Sequence, residues 1–107
     1  LGFSFKENCV DTRNTKVVDL INELISHKIN YDIIDPWVNE DEVFTNFHLK
    51  VSNNLSFKTK YSAVIAAVRH QDFLKITKKE WESLIIKNGI LYDLKNIIPR
   101  ELNPMRL

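Results

Sequence analysis

The sequence predicts an α/β domain, a small doubly wound fold in which helices cover both faces of a mainly parallel sheet. Three observations carry this. Short apolar, β-branched runs alternate with segments of helical period over short connections, the order that builds parallel sheets through crossover helices. The run at 62–68, SAVIAAV, is apolar without alternation, as a strand covered on both faces must be. The 107 residues are long enough to bury a real hydrophobic core and read as one unit, a single domain over residues 1–107.

Taken in order, the chain opens on a strand over residues 1–5. It is too short for a complete central strand, so its start is expected upstream and the chain reads as a piece of a longer protein. A polar loop with Lys6, Glu7, Asn8, Asp11 and Arg13 follows. Val17, Leu20, Ile21, Leu24 and Ile25 then recur at helical spacing and predict a helix over 16–28, capped by Asn14 or Thr15. No glycine stands at its end, which leaves Asn30 to take the left-handed turn. Residues 31–35 form a second strand with Ile33 and Ile34 buried, halted by Pro36. Asn39 caps a brief acidic helix through Glu40, Asp41 and Glu42 toward Phe44. Residues 45–60 lose periodicity and predict loop, with one short strand near 49–51. After the central strand at 62–68, Thr77 and Glu80 make a capping box for a helix that carries Trp81, Leu84 and Ile85 and stops at Asn88 and Gly89. A last strand spans 90–94, and the tail, with Pro99 and Pro104, is expected to be irregular. Together these elements make a Rossmann-like three-layer arrangement.

Composition narrows the function classes. Lys and Arg number 15 against 14 Asp and Glu, a formal charge of +1 without a separate basic block, which gives no electrostatic footprint for nucleic acid or an anionic membrane. No apolar run reaches the roughly 18 residues of a membrane span, and the first residues lack the order of a signal peptide, so a cytoplasmic protein is expected. The single cysteine, Cys9, has no second cysteine for an internal disulfide or a metal pair. His27, His48 and His70 lie far apart, and none sits at metal-ligand spacing. Only Gly2 and Gly89 are present, so the chain has neither the glycine-rich dinucleotide turn nor a phosphate loop.

In a parallel sheet the residues just after each strand converge on one edge. That edge carries Lys6, Asp35, Arg69, His70 and Lys95, and cations gathered there suit a phosphorylated ligand. The same residues also fit ordinary solvated loop charge, and the pattern leaves both open. His70 is suited to proton transfer near neutral pH, yet a Cys9/His70 pair would join two loops with no third group to orient it. Asp11 and Arg13 are spaced to form a local ion pair that fixes the loop or presents Arg13 to a partner. Trp37 and Trp81 sit beside apolar helix and turn positions and read as core.

The segments LGFSFKENCVDTRNTKVVDLI, YDIIDPWVN, YSAVIAAVRHQDF and ILYDLKNII resemble, in order and spacing, the carboxyl-terminal UDP-binding domain of the UDP-glucose/GDP-mannose dehydrogenase family, over residues 1–98. The most specific piece is the F-K-x-N-x-x-D-x-R run from Phe5 to Arg13, backed by Asp35 and Pro36. The KENC form and the D-P-W after the second strand look more like the branch that oxidises UDP-N-acetylhexosamines than the UDP-glucose branch. Lys28 stands where the family has a glycine before the second strand.

The resemblance implies a domain that closes over a UDP-sugar within a longer NAD-dependent 6-dehydrogenase. The NAD-binding domain, a central dimerisation region, the catalytic cysteine and an active-site lysine would all lie upstream. The full-length protein would be a homodimer making a UDP-hexuronate for bacterial capsular or surface polysaccharide. By position in the motif, Phe5, Lys6 and Lys95 are the expected UDP-sugar contacts, while Asp11 and Arg13 are expected to brace the loop or touch another subunit. Cys9 does not align with the family's nucleophile, so no catalytic residue is expected in this chain. The alternative is a free-standing, non-catalytic α/β module of receiver type, with Asp35 and Lys95 at strand ends. A receiver needs an acidic pair after its first strand, where this chain has Lys6.

Overall fold

The computed structural model describes residues 1–13 and 15–106; Asn14, one of the two expected helix caps, lies outside them. Two parallel sheets are present, a pair β1 (Ile33–Ile34) and β2 (Val51–Ser52), and a triplet in the order β3 (Tyr61–Ala66), β4 (Ile85–Asp93), β5 (Met105–Arg106). Residues 1–3 join them. Gly2 N–H donates to the Ile34 carbonyl at 2.7 Å, while Leu1 N donates to the Ile65 carbonyl and the Leu1 carbonyl accepts from Ala67 N–H at 2.8 Å, the bonding pattern of a parallel ladder. The spatial order is therefore β2, β1, residues 1–3, β3, β4, β5. The chain runs outward from the centre to one side, then returns to the centre and runs to the other. This is the order of a doubly wound sheet, with its reversal between residues 1–3 and β3.

Side-chain alternation along β3 shows that helices occupy both faces. Val64 and Ala66 pack with Phe73, Trp81 and Leu91 under α3 (Gln71–Leu74) and α4 (Lys78–Ser83). Ala63, Ile65 and Ala67 point the other way, into a cavity shared with Leu20 and Leu24 of α1 (Val17–Ser26). A second core, with Phe3, Ile21, Ile33, Val43 and Val51, lies under α1 and α2 (Glu40–Phe47).

Several local expectations hold for the stated reasons. Asn39 Oδ1 accepts from Glu42 N–H, and Thr77 and Glu80 form both halves of the capping box. Others are corrected. Residues 1–5 are not one strand, because the chain bends from Ser4 onward to enter the loop. Residues 45–47 belong to α2, and the short strand sits at Val51–Ser52. The start of the central strand is not covered on both faces, since Ser62 and Ala63 are exposed. The helix after Thr77 ends at Ser83, and the Asn88 and Gly89 turn is used inside β4 instead. Tyr61 pairs with Ile85 and Ala63 with Ile90, so extra β4 residues bulge between those partners, with Asn88 left-handed at φ 64°. The tail is also ordered, because Arg106 is pinned by Asp93 and β5 joins the sheet edge.

At the end of α1 the left-handed residue is Lys28, at φ 56°, and not Asn30. Ile29 N–H reaches the Leu24 carbonyl and Lys28 N–H the Ile25 carbonyl, a Schellman closure with lysine where glycine is usual. A side chain at such a position costs about 1 kcal/mol against glycine. Lys28→Gly is therefore expected to raise the free energy of unfolding by about 0.5–1 kcal/mol in urea titration. A lowered midpoint would show that the lysine carries no such strain.

Candidate functional site

The sheet reversal puts the carboxyl ends of residues 1–3 and β3 side by side, and glycine permits their closeness. Gly2 has φ 97°, and a Cβ there would lie 2.5 Å from Val68 Cβ and 2.8 Å from Val68 N. Beside this junction is a cleft of about 420 Å³. Phe5, Lys6, Lys16 and Lys95 line it together with one carboxylate, Glu7, and the apolar Val68 and Leu94. Phe5 is half exposed. Lys16 precedes the first turn of α1, whose first N–H, on Val17, donates to Thr15 Oγ1 at 3.3 Å, and the positive end of the helix dipole adds to the lysine charges. A larger cavity of about 500 Å³ opens on the sheet face beside α1, near the amino ends of β1 and β3. It is walled mainly by aliphatic groups such as Leu20, Leu24, Ile29 and Ile65. Open α/β sheets bind ligands at strand carboxyl ends, which selects the smaller, cationic cleft.

Two buried aspartates shape its walls. Asp35, fully buried just beyond β1, accepts Phe3 N–H at 2.6 Å, Ser4 N–H at 2.9 Å and His70 Nε2 at 2.8 Å on one oxygen, and Trp37 N–H at 2.7 Å on the other. Burial alone would push its carboxyl up. The bonds from His70, Phe3, Ser4 and Trp37 overcome this and hold it below the ordinary value of 3.8. Asp93, buried at the end of β4, accepts from the backbone of Lys95, Ile97 and Ile98 and from Arg106 at 2.8 Å. It thereby sets the turn that carries Lys95.

The structure thus gathers Phe5, Lys6 and Lys95 on one cleft and separates them from the other charged groups expected at that edge. Arg69 turns away to the carbonyls of Lys95 and Asn96. His70 is fully buried, stacked against Trp37 at 6.1 Å, and Cys9 Sγ accepts instead from Asp11 N–H at 3.4 Å. Trp81 is core, whereas Trp37 is only partly buried and donates to Asp72 at 2.8 Å. Arg13 pairs with Asp11 at 3.0 Å, and its hydrogen bond and charge hold the Asp11 carboxyl down. The Asp11 carbonyl accepts Phe5 N–H at 2.7 Å and closes the loop. Lys16 was missed in the sequence because its charge fits a solvated helix start; its proximity to the end of the first strand was the available signal.

Fold and cleft together define an α/β domain of the kind that holds an anionic ligand at the point where the sheet order reverses. Residues 1–100 match the UDP-glucose/GDP-mannose dehydrogenase family, UDP binding domain, and the chain belongs to that family. It is 37% identical over its whole length to a UDP-N-acetyl-D-glucosamine 6-dehydrogenase of Salmonella typhi, covering 25% of that protein. It is 35% identical over its whole length to one of Pseudomonas aeruginosa, again covering 25%. It is also 37% identical over 92% of its length to Protein CapL of Staphylococcus aureus, covering 23% of that protein. The chain therefore spans about a quarter of the length of these curated relatives. No solved structure matches it. Among the described residues no helix is long and apolar enough to cross a membrane.

Because the folded-state carboxyl of Asp35 titrates below its ordinary 3.8, its contribution is fully present above that value and is lost as pH falls through the folded-state value. Asp35→Asn is expected to cost about 3 kcal/mol at neutral pH. The gap to wild type should narrow below about pH 4 in denaturant titrations. A gap constant with acidification would remove the Asp35 charge from the account.

Proposed function

We propose that the chain is the UDP-sugar-binding domain of a longer NAD-dependent 6-dehydrogenase that oxidises a UDP-N-acetylhexosamine to the uronic acid, for a bacterial capsular or surface polysaccharide. The observation that supports this is the cleft itself, which Phe5, Lys6, Lys16 and Lys95 line together. Lysine ammonium groups and a helix amino end complement a pyrophosphate, and the exposed Phe5 ring offers an apolar face to the nucleoside or sugar. The relatives named for UDP-N-acetyl-D-glucosamine support the N-acetylhexosamine as substrate.

The turn after the first strand is Ser4-Phe5-Lys6-Glu7-Asn8, which lacks the glycines of a dinucleotide-binding turn. NAD and the oxidation chemistry accordingly belong to residues of the longer protein, and Cys9 plays no part in them. The role of this domain is to bind and orient. Asp11 braces the Phe5 turn, and Arg13, its side chain largely in solvent, is available to a second subunit of a homodimer. A receiver-type role is disfavoured, because Asp35 is sealed from solvent by its donors.

In the full-length protein, Lys6→Ala is expected to weaken UDP about tenfold in calorimetric titration, the loss of roughly one charge-assisted contact. Unchanged affinity would remove Lys6 from the site. NAD reduction should accompany turnover of a UDP-N-acetylhexosamine in a panel of UDP-sugars, and turnover of none would sink the dehydrogenase assignment.

A further inference from the structure

The buried His70 lies beside the cleft but does not line it, and its bonds run straight to the loop that does. Asn8 N–H can only donate, so the bond of 2.9 Å to His70 Nδ1 makes that nitrogen the acceptor and assigns the ring proton to Nε2. That Nε2 proton is shared between Asp35 at 2.8 Å and Ser4 Oγ at 3.1 Å, while the Ser4 hydroxyl donates to the Lys6 carbonyl at 3.0 Å. Asn8 stands in the left-handed conformation at φ 53°, and its side-chain oxygen accepts Gln71 N–H at 2.8 Å. Trp37 stacks on the imidazole.

A Ser-His-Asp set suggests nucleophilic catalysis, but the geometry excludes it. The serine and the carboxylate share one ring nitrogen, whereas a relay needs one on each. The Ser4 hydroxyl is committed to a carbonyl, and all three side chains are buried. What the set does is hold the backbone on both sides of Lys6, through Ser4 before it and Asn8 after it.

We propose that His70 and Asn8 are positioning residues for substrate binding, together fixing the turn that aims Phe5 and Lys6 into the cleft. This rests on the UDP-sugar assignment of that cleft. Nδ1 is the arm toward the substrate loop and Nε2 the arm toward the fold. The two arms are separable, because a glutamine at 70 can keep a donor near Asp35 without an acceptor for Asn8, and an asparagine can do the reverse.

The test uses the full-length enzyme and four variants, His70→Gln, His70→Asn, Asn8→Gly and Lys6→Ala. His70→Gln is expected to raise KM for the UDP-sugar about tenfold, with kcat and KM for NAD within about twofold. His70→Asn should have the lower melting temperature of the two histidine variants and yet the smaller rise in KM, within about threefold. Asn8→Gly keeps the left-handed backbone and lies on an accessible loop, so KM should rise about fivefold at unchanged melting temperature. A merely structural histidine would instead make KM follow melting temperature across the set. That result overturns the proposal, as does a KM within about twofold of wild type in both His70→Gln and Asn8→Gly while Lys6→Ala weakens UDP. If Lys6→Ala leaves UDP binding unchanged, the cleft assignment fails and this proposal falls with it.

Discussion

The carboxylate of Asp35 is the constraint on which the rest of the site depends. A buried charge is tolerated only when its lone pairs are satisfied, and this one collects its donors from three separate parts of the chain. Phe3 and Ser4 come from the central strand segment, Trp37 from the turn after β1, and His70 from the loop after β3. Satisfying one side chain therefore gathers the carboxyl ends of three neighbouring strands. The place where they gather is the place where the sheet order reverses, and the reversal opens the cleft.

Asp93 repeats the device on the far side. It also ends a strand, is also buried, and also collects backbone N–H groups from the turn that follows. The two aspartates fix the two walls of the cleft, one carrying Phe5 and Lys6 and the other Lys95, while those three side chains are themselves exposed. Buried carboxylates lie beneath and exposed cationic chains above. This division suits the proposed role, a domain that holds one end of a substrate.

Much of this was legible in the sequence. Helical period over 17–25, the apolar run from Val64 to Val68, the Asn39 cap and the Thr77 capping box each state a local rule that the fold obeys. The convergence of Lys6 and Lys95 followed from parallel strand order alone. What was not legible depended on long-range pairing. Asn88 and Gly89 signal a turn, but only the register of β3 decides that the turn is a bulge within β4 rather than a helix stop. The tail reads as irregular until Arg106 finds Asp93 and an edge strand forms. His70 reads only as one of the groups at the strand-end edge because no sequence pattern reveals that its two nitrogens are already engaged, one by Asp35 and the other by Asn8. Lys28 shows the reverse case, a residue with the wrong propensity held in place by the closure of its helix.

The most direct measurement is hydrogen–deuterium exchange of the full-length protein with and without saturating UDP. If the cleft ordered by Asp35 holds the nucleotide, protection should rise at residues 5–8, in the first turn of α1 and at 95–97, and stay unchanged around the aliphatic cavity at 29–32 and 60–63. Protection at the aliphatic cavity, with residues 5–8 unaffected, would contradict the account.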